Sequence, residues 1–167
     1  MKIFFYLLLC PFLVIGQSSF DDIESLFEKK QYVKAEKNLV EFLEHNPNNL
    51  QAIELLGDAY GHQKKWNEAI DTYEKLVDAD TNQANYHYKY GGALGMKALE
   101  NKFKAVGLIG DVKSSFIKAA ELDPKHIEAR WALVELYMQL PGIFGGSKSK
   151  SLHYAQELEN LSKVDGY

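Results

Sequence analysis

The stretch Ala52-Ile53-Glu54-Leu55-Leu56-Gly57-Asp58-Ala59-Tyr60, followed by Ala69-Ile70-Asp71-Thr72-Tyr73, decides how this chain folds. Moved along by 34 residues, Ile53, Leu56, Gly57 and Tyr60 fall on His87, Tyr90, Gly91 and Leu94, while Ala35 and Leu39 fall on Ala69 and Tyr73. Self-similarity at that period marks a unit of two short helices that buries its apolar face only by stacking on a neighbour. Two antiparallel helices pack closely where small Gly57 and Ala69 meet the opposing ridges, and Tyr60 and Tyr73 fill the space on either side. Within Trp66 to Ala79 the apolar residues Ala69, Ile70, Tyr73, Leu76 and Val77 recur at helical spacing, leaving Asp71, Glu74 and Lys75 on the other face.

Working outward, the register slips by nine residues after Leu94 and then holds: Tyr73 is matched by Phe116, Tyr90 by Leu133, Gly91 by Val134, Leu94 by Tyr137 and Pro47 by Pro124. A second slip of five residues separates Tyr137 from Ser151, after which Ala155 and Leu158 take the places of Phe116 and Ala119. Four helix pairs follow, the outer two degenerate, as expected where one side of a repeat faces water. The punctuation agrees: His45-Asn46-Pro47-Asn48, Asp80-Thr81-Asn82 and Asp123-Pro124 separate the pairs. Inside the third pair, Gly110-Asp111 reads as a loop end and N-cap for a helix running to about Leu122.

Ile53-x2-Leu56-Gly57-x2-Tyr60 with Ala69-x3-Tyr73 resembles the tetratricopeptide repeat pattern W-x2-L-G-x2-Y, A-x3-F, in its secreted or periplasmic bacterial type. The resemblance covers most of residues 17–167. It implies an all-α fold, a right-handed α-solenoid of about four antiparallel helix pairs with loop insertions in the third and fourth. It departs from the pattern at Thr81, where proline is usual, and at Val134, where glycine is.

Residues 1–16 differ from the rest, with Lys2 as the only charge and a nearly unbroken apolar run from Ile3 to Ile15. This reads as an export signal, because a spanning helix needs roughly 20 apolar residues. Small Gly16 suits cleavage before Gln17, which points to a periplasmic or secreted location. Cys10, the only cysteine, lies within the run. A lipid anchor there is the competing reading, but bulky Leu9 precedes it and the apolar run continues beyond it. A net charge of −4 and the absence of any Lys/Arg run exclude nucleic acid as an expected partner.

No catalytic, cofactor or metal site is expected. Gly142-Ile143-Phe144-Gly145-Gly146-Ser147-Lys148-Ser149 comes one residue short of the phosphate-binding pattern G-x4-G-K-[ST], with Ser147 in place of glycine. A helical segment precedes it where the motif needs a strand, so it reads as a helix connection. His45, His62, His87, His126 and His153 sit in different repeats with no ligand spacing between them.

The expected work is to hold a protein or peptide without catalysis. The first helix of each pair lines the concave face, which places Gln51, Glu54, Asp58 and His62, then Asn85, Tyr88, Gly92 and Met96, then Glu128, Trp131, Glu135 and Gln139 in the groove. Its acids and its flat anchors Tyr88 and Trp131 suit a segment bearing Lys or Arg. The alternative is a structural or self-association role through the apolar insertions at 104–111 and 140–148. There Leu108, Ile109, Ile143 and Phe144 either plug one another on one edge or form a docking site.

Overall fold

The computed structural model describes residues 20–100 and 102–162. The export-signal reading of 1–16, with Cys10 and the Gly16 junction, falls outside the described residues. Among the described residues eight helices follow one another: α1 (Phe20–Glu28), α2 (Tyr32–His45), α3 (Leu50–His62), α4 (Trp66–Ala79), α5 (Ala84–Glu100), α6 (Lys102–Leu122), α7 (Ile127–Gln139) and α8 (Lys148–Leu161). A single 3-10 turn, Gly142–Phe144, stands between α7 and α8, and the described residues contain no strand.

Each helix packs chiefly on the ones before and after it in sequence, which is the signature of a stack. The core accordingly runs along the stack as three clusters. Ile23, Leu39, Ala52 and Ala59 join α1 to α3; Ala69, Tyr73, Leu76 and Ala93 join α4 to α5; Leu94, Val112, Phe116, Leu133 and Tyr137 join α5, α6 and α7. The small residues do what the repeat requires: a Cβ on Gly57 would enter the ring of Tyr73, and one on Gly91 would lie 2.9 Å from Ser115 Cβ. Helix starts are fixed locally, since the Asn49 side chain accepts from Ala52 N at 2.9 Å and His126 Nδ1 accepts from Ala129 N at 3.2 Å.

The two register slips are absorbed in different ways. In the fourth pair the extra residues form a true connection, Leu140 to Ser147. In the third pair they are helical, a correction to the expected loop at 104–111: α5 and α6 have 17 and 21 residues where α3 and α4 have 13 and 14. Asp111 is therefore interior to α6 and caps nothing. Gly107 and Gly110 each disfavour helix by about 1 kcal/mol. Leu108, Val112 and Phe116, one helical turn apart, override that cost by docking on the core of the third and fourth pairs.

Buried polar contacts lock successive pairs. Arg130, almost fully buried on α7, donates from Nε to Glu157 Oε2 of α8 at 2.8 Å. Its other nitrogens donate to the carbonyls of His126 at 3.0 Å and of Asp123 and Ala120 at 3.3 Å, closing the C-terminal end of α6.

Candidate functional site

The groove-facing positions of α5 and α7 meet over α6. Tyr88, Gly92 and Met96 of α5, Glu135 and Gln139 of α7 and Ile109 of the lengthened α6 line one cavity of about 510 Å³. Leu99, Val112, Phe116 and Leu136 complete an otherwise apolar wall. Residues of the concave face and of the third-pair insertion, two separate candidate surfaces in the sequence, thus line a single cavity. Gly92 is what leaves the room: an added Cβ there would meet nothing within 4 Å.

Tyr88 stands at the junction with a second, polar recess of about 500 Å³ lined by Asn82, Asn85, Lys125, His126 and Glu128. Its ring lies 5.9 Å from Phe116 and 5.1 Å from His126, which fixes its plane between the two recesses. Burial, reinforced by the Glu128 carboxylate, pushes the Tyr88 phenol up, so it stays a neutral hydrogen-bonding group.

The acids are less free than their number suggests. Lys89 Nζ lies 2.8 Å from Glu54 and 2.7 Å from Asp58, and Asp58 also accepts the Tyr73 hydroxyl at 2.6 Å. Asn85 donates to Glu54 at 2.8 Å. Burial works against the Lys89 charge, yet Asp58 and Glu54 outweigh it and hold the ammonium above its usual range. The polar lining of the second pair is therefore spent on tying α3 to α5. Gln51 is bonded to Glu24 at 3.3 Å, and His62 stacks on Tyr32 with ring centres 4.0 Å apart. Glu128 remains largely exposed, 3.2 Å from His126 Nδ1, a contact that exists as an ion pair only when the imidazole is protonated and gives up its cap on α7.

Trp131 is 38% exposed and lines neither recess. The four edge residues do not form one plug: Leu108 packs on the core and Ile109 on the cavity, whereas Ile143 is 87% exposed and Phe144 is partly so. Sequence reasoning missed Lys89 and Arg130. A signal for Lys89 exists, because both Glu54 to Asn85 and Asp58 to Lys89 span 31 residues, one period less a helical turn.

In the glycine-rich connection the four consecutive amides from Phe144 to Ser147 are committed to carbonyls of the protein. The N–H groups of Phe144 and Gly146 donate to Pro141 O, that of Gly145 to Gly142 O, and that of Ser147 to Tyr137 O. Ser147 instead caps α8, its hydroxyl accepting from Lys150 N at 3.3 Å. Among the described residues no three His, Cys, Asp or Glu side chains gather as metal ligands, and no helix is long and apolar enough to cross a membrane.

Residues 26–91 match the family model described as tetratricopeptide repeat. No curated protein matches the chain. Among solved structures, MamA from Desulfovibrio magneticus RS-1 aligns with a TM-score of 0.71 at 17% identity, over 86% of this chain and 73% of that one. A thermophilic tetratricopeptide protein of Thermus thermophilus gives 0.68 at 15%, over 84% and 71%. The O-GlcNAc transferase of Thermobaculum terrenum gives 0.65 at 21%, over 83% of this chain but only 24% of that enzyme. These likenesses concern the fold. Residues 26–91 thus match the tetratricopeptide repeat, and the fold of the described helices is an α-solenoid of that type.

Proposed function

We propose that this chain is a non-enzymatic module, exported by way of residues 1–16, that binds a protein or peptide segment along its concave face. The observation that carries this reading is the apolar cavity between α5, α6 and α7, because a stack with no need of that space would fill it with side chains. The cavity is built on helices, so its walls are held in place before a partner arrives. Cross-linking capture with the chain tests it. Gly92→Phe, which fills the cavity without a clash at Cβ, should abolish capture, whereas Ile143→Asp should leave it intact. Capture unchanged by Gly92→Phe and by Tyr88→Ala would overturn the reading.

A second reading is favoured by Ile143, which is 87% exposed on the connection between α7 and α8. In it the chain is an assembly piece that docks through this edge. A shift from oligomer to monomer in Ile143→Asp, read by light scattering, would decide for it.

A further inference from the structure

We infer that the occupant of the concave site is a segment carrying an apolar side chain next to a lysine or arginine, the apolar group seated in the α5–α6–α7 cavity and the cation on Glu135. This inference rests on the groove reading above and specifies the chemistry of its ligand. Three observations lead to it. Among the described residues lining the cavity, Glu135 is the only charged one, in a wall otherwise made of Tyr88, Gln139 and apolar groups. Glu135 forms no ion pair among the described residues, in contrast to Glu54 and Asp58, which both pair with Lys89. The nearest carboxylate of the same helix face, Glu128, lies two turns away, roughly 10 Å along the axis at the helical rise.

An apolar cavity with one unpaired carboxylate at its wall complements a group that is apolar in its body and cationic at its edge. The shape selects a chain segment over a small lipophilic cation. Tyr88 belongs to both the apolar cavity and the polar recess, so the depression continues past the cavity along α5 and α7 toward Glu128. An extended segment advances about 3.3 Å per residue. Basic residues about three positions apart would therefore reach both Glu135 and Glu128, with the apolar anchor beside the first.

The test is selection of random dodecapeptides displayed on phage against the full chain, run in parallel on Glu135→Lys and Gly92→Phe, with selected sequences then synthesised for titration. The expected outcome is enrichment of Leu, Phe or Met within three residues of Lys or Arg on the native chain. Glu135→Lys should lose that basic preference or turn it to Asp and Glu. Glu135→Gln should weaken a selected peptide about two- to five-fold, with less dependence on salt, as for an exposed pair. Replacing the peptide's apolar anchor by alanine should weaken it at least about ten-fold. Both chain variants change positions with room around them, and a native helical melting curve confirms that they fold.

Enrichment that Gly92→Phe abolishes but that shows no basic preference, or is indifferent to Glu135, would overturn this inference and leave the groove reading standing. Absence of any enrichment that depends on Gly92 would overturn both. Binding of tetraphenylphosphonium, blocked by Gly92→Phe and accompanied by no enriched peptide, would replace the segment with a small cation.

Discussion

Gly91 and Gly92 are adjacent in the middle of α5, and replacing each by alanine should move stability in opposite directions. Both substitutions gain the same intrinsic term, since alanine favours a helix interior over glycine by about 0.8–1 kcal/mol. At Gly92 nothing lies within 4 Å of the new Cβ, so the gain should appear almost whole. At Gly91 the new Cβ would stand 2.9 Å from Ser115 Cβ and 3.1 Å from the Phe116 ring, both buried, so neither neighbour can swing into solvent. Overpacking of that kind costs about 1–3 kcal/mol. Net of the helical gain, Gly91→Ala should lose about 1 kcal/mol and Gly92→Ala gain slightly less, a separation of about 2 kcal/mol. At roughly 2–4 °C per kcal/mol for a chain of this size, the two melting points should differ by about 4–8 °C. Thermal melts followed at 222 nm, with urea titrations beside them, measure it directly. Equal stabilisation by both alanines would mean that α5 does not present Gly91 to α6, and a loss at Gly92 would mean that the cavity beneath it is filled.

Replacing Arg130 by methionine should cost about 2–3 kcal/mol, because it removes charge-assisted bonds and leaves the Ala120, Asp123 and His126 carbonyls short of a donor. Hydrogen exchange should locate the loss in α7 and α8, and uniform loss across all helices would contradict the clamp. The Tyr73 phenol is pushed far up by burial and by the Asp58 carboxylate, and Lys89 is raised by Asp58 and Glu54 against the opposing effect of burial. The fold thus favours the protonated form of both. Their contribution is whole below about pH 10 and falls as pH rises beyond it, where the unfolded chain gives up protons that the folded chain keeps. Urea titrations at pH 8 and pH 11 should show that decline flattened in Tyr73→Phe and Lys89→Met, and an unchanged slope in both would refute the assignment.

The helix pairs were legible because a repeat states its own register: Ile53, Leu56, Gly57 and Tyr60 have partners one period on, and Trp66–Ala79 carries its apolar spacing openly. The character of the third-pair insertion was not. Gly107, Gly110 and Asp111 have the local chemistry of a loop, and only docking of Leu108, Val112 and Phe116 on other helices makes them helical, a tertiary effect that no local window contains. The groove positions of α5 and α7 could be read by carrying the phase forward, which is why Tyr88, Gly92, Met96, Glu135 and Gln139 come together. Trp131 shares that phase, yet it is 38% exposed and lines neither recess, so helical phase alone did not say which residues of that face border the cavity. The pairing of Glu54 and Asp58 with one shared cation was hidden because Lys89 comes from the next pair, and composition counts charges without placing them.

The nine residues that lengthened α5 and α6 rather than looping out have a kinetic consequence. A stack whose contacts run mainly between sequence neighbours folds from local encounters, starting where a helix pair is longest and propagating outward. The α5–α6 hairpin, with its 17- and 21-residue arms, is the natural nucleus, and the short α1 at one end is the first element to fray. Partial unfolding from either end would therefore shorten the stack while sparing the α5–α6 portion of the proposed binding surface until last.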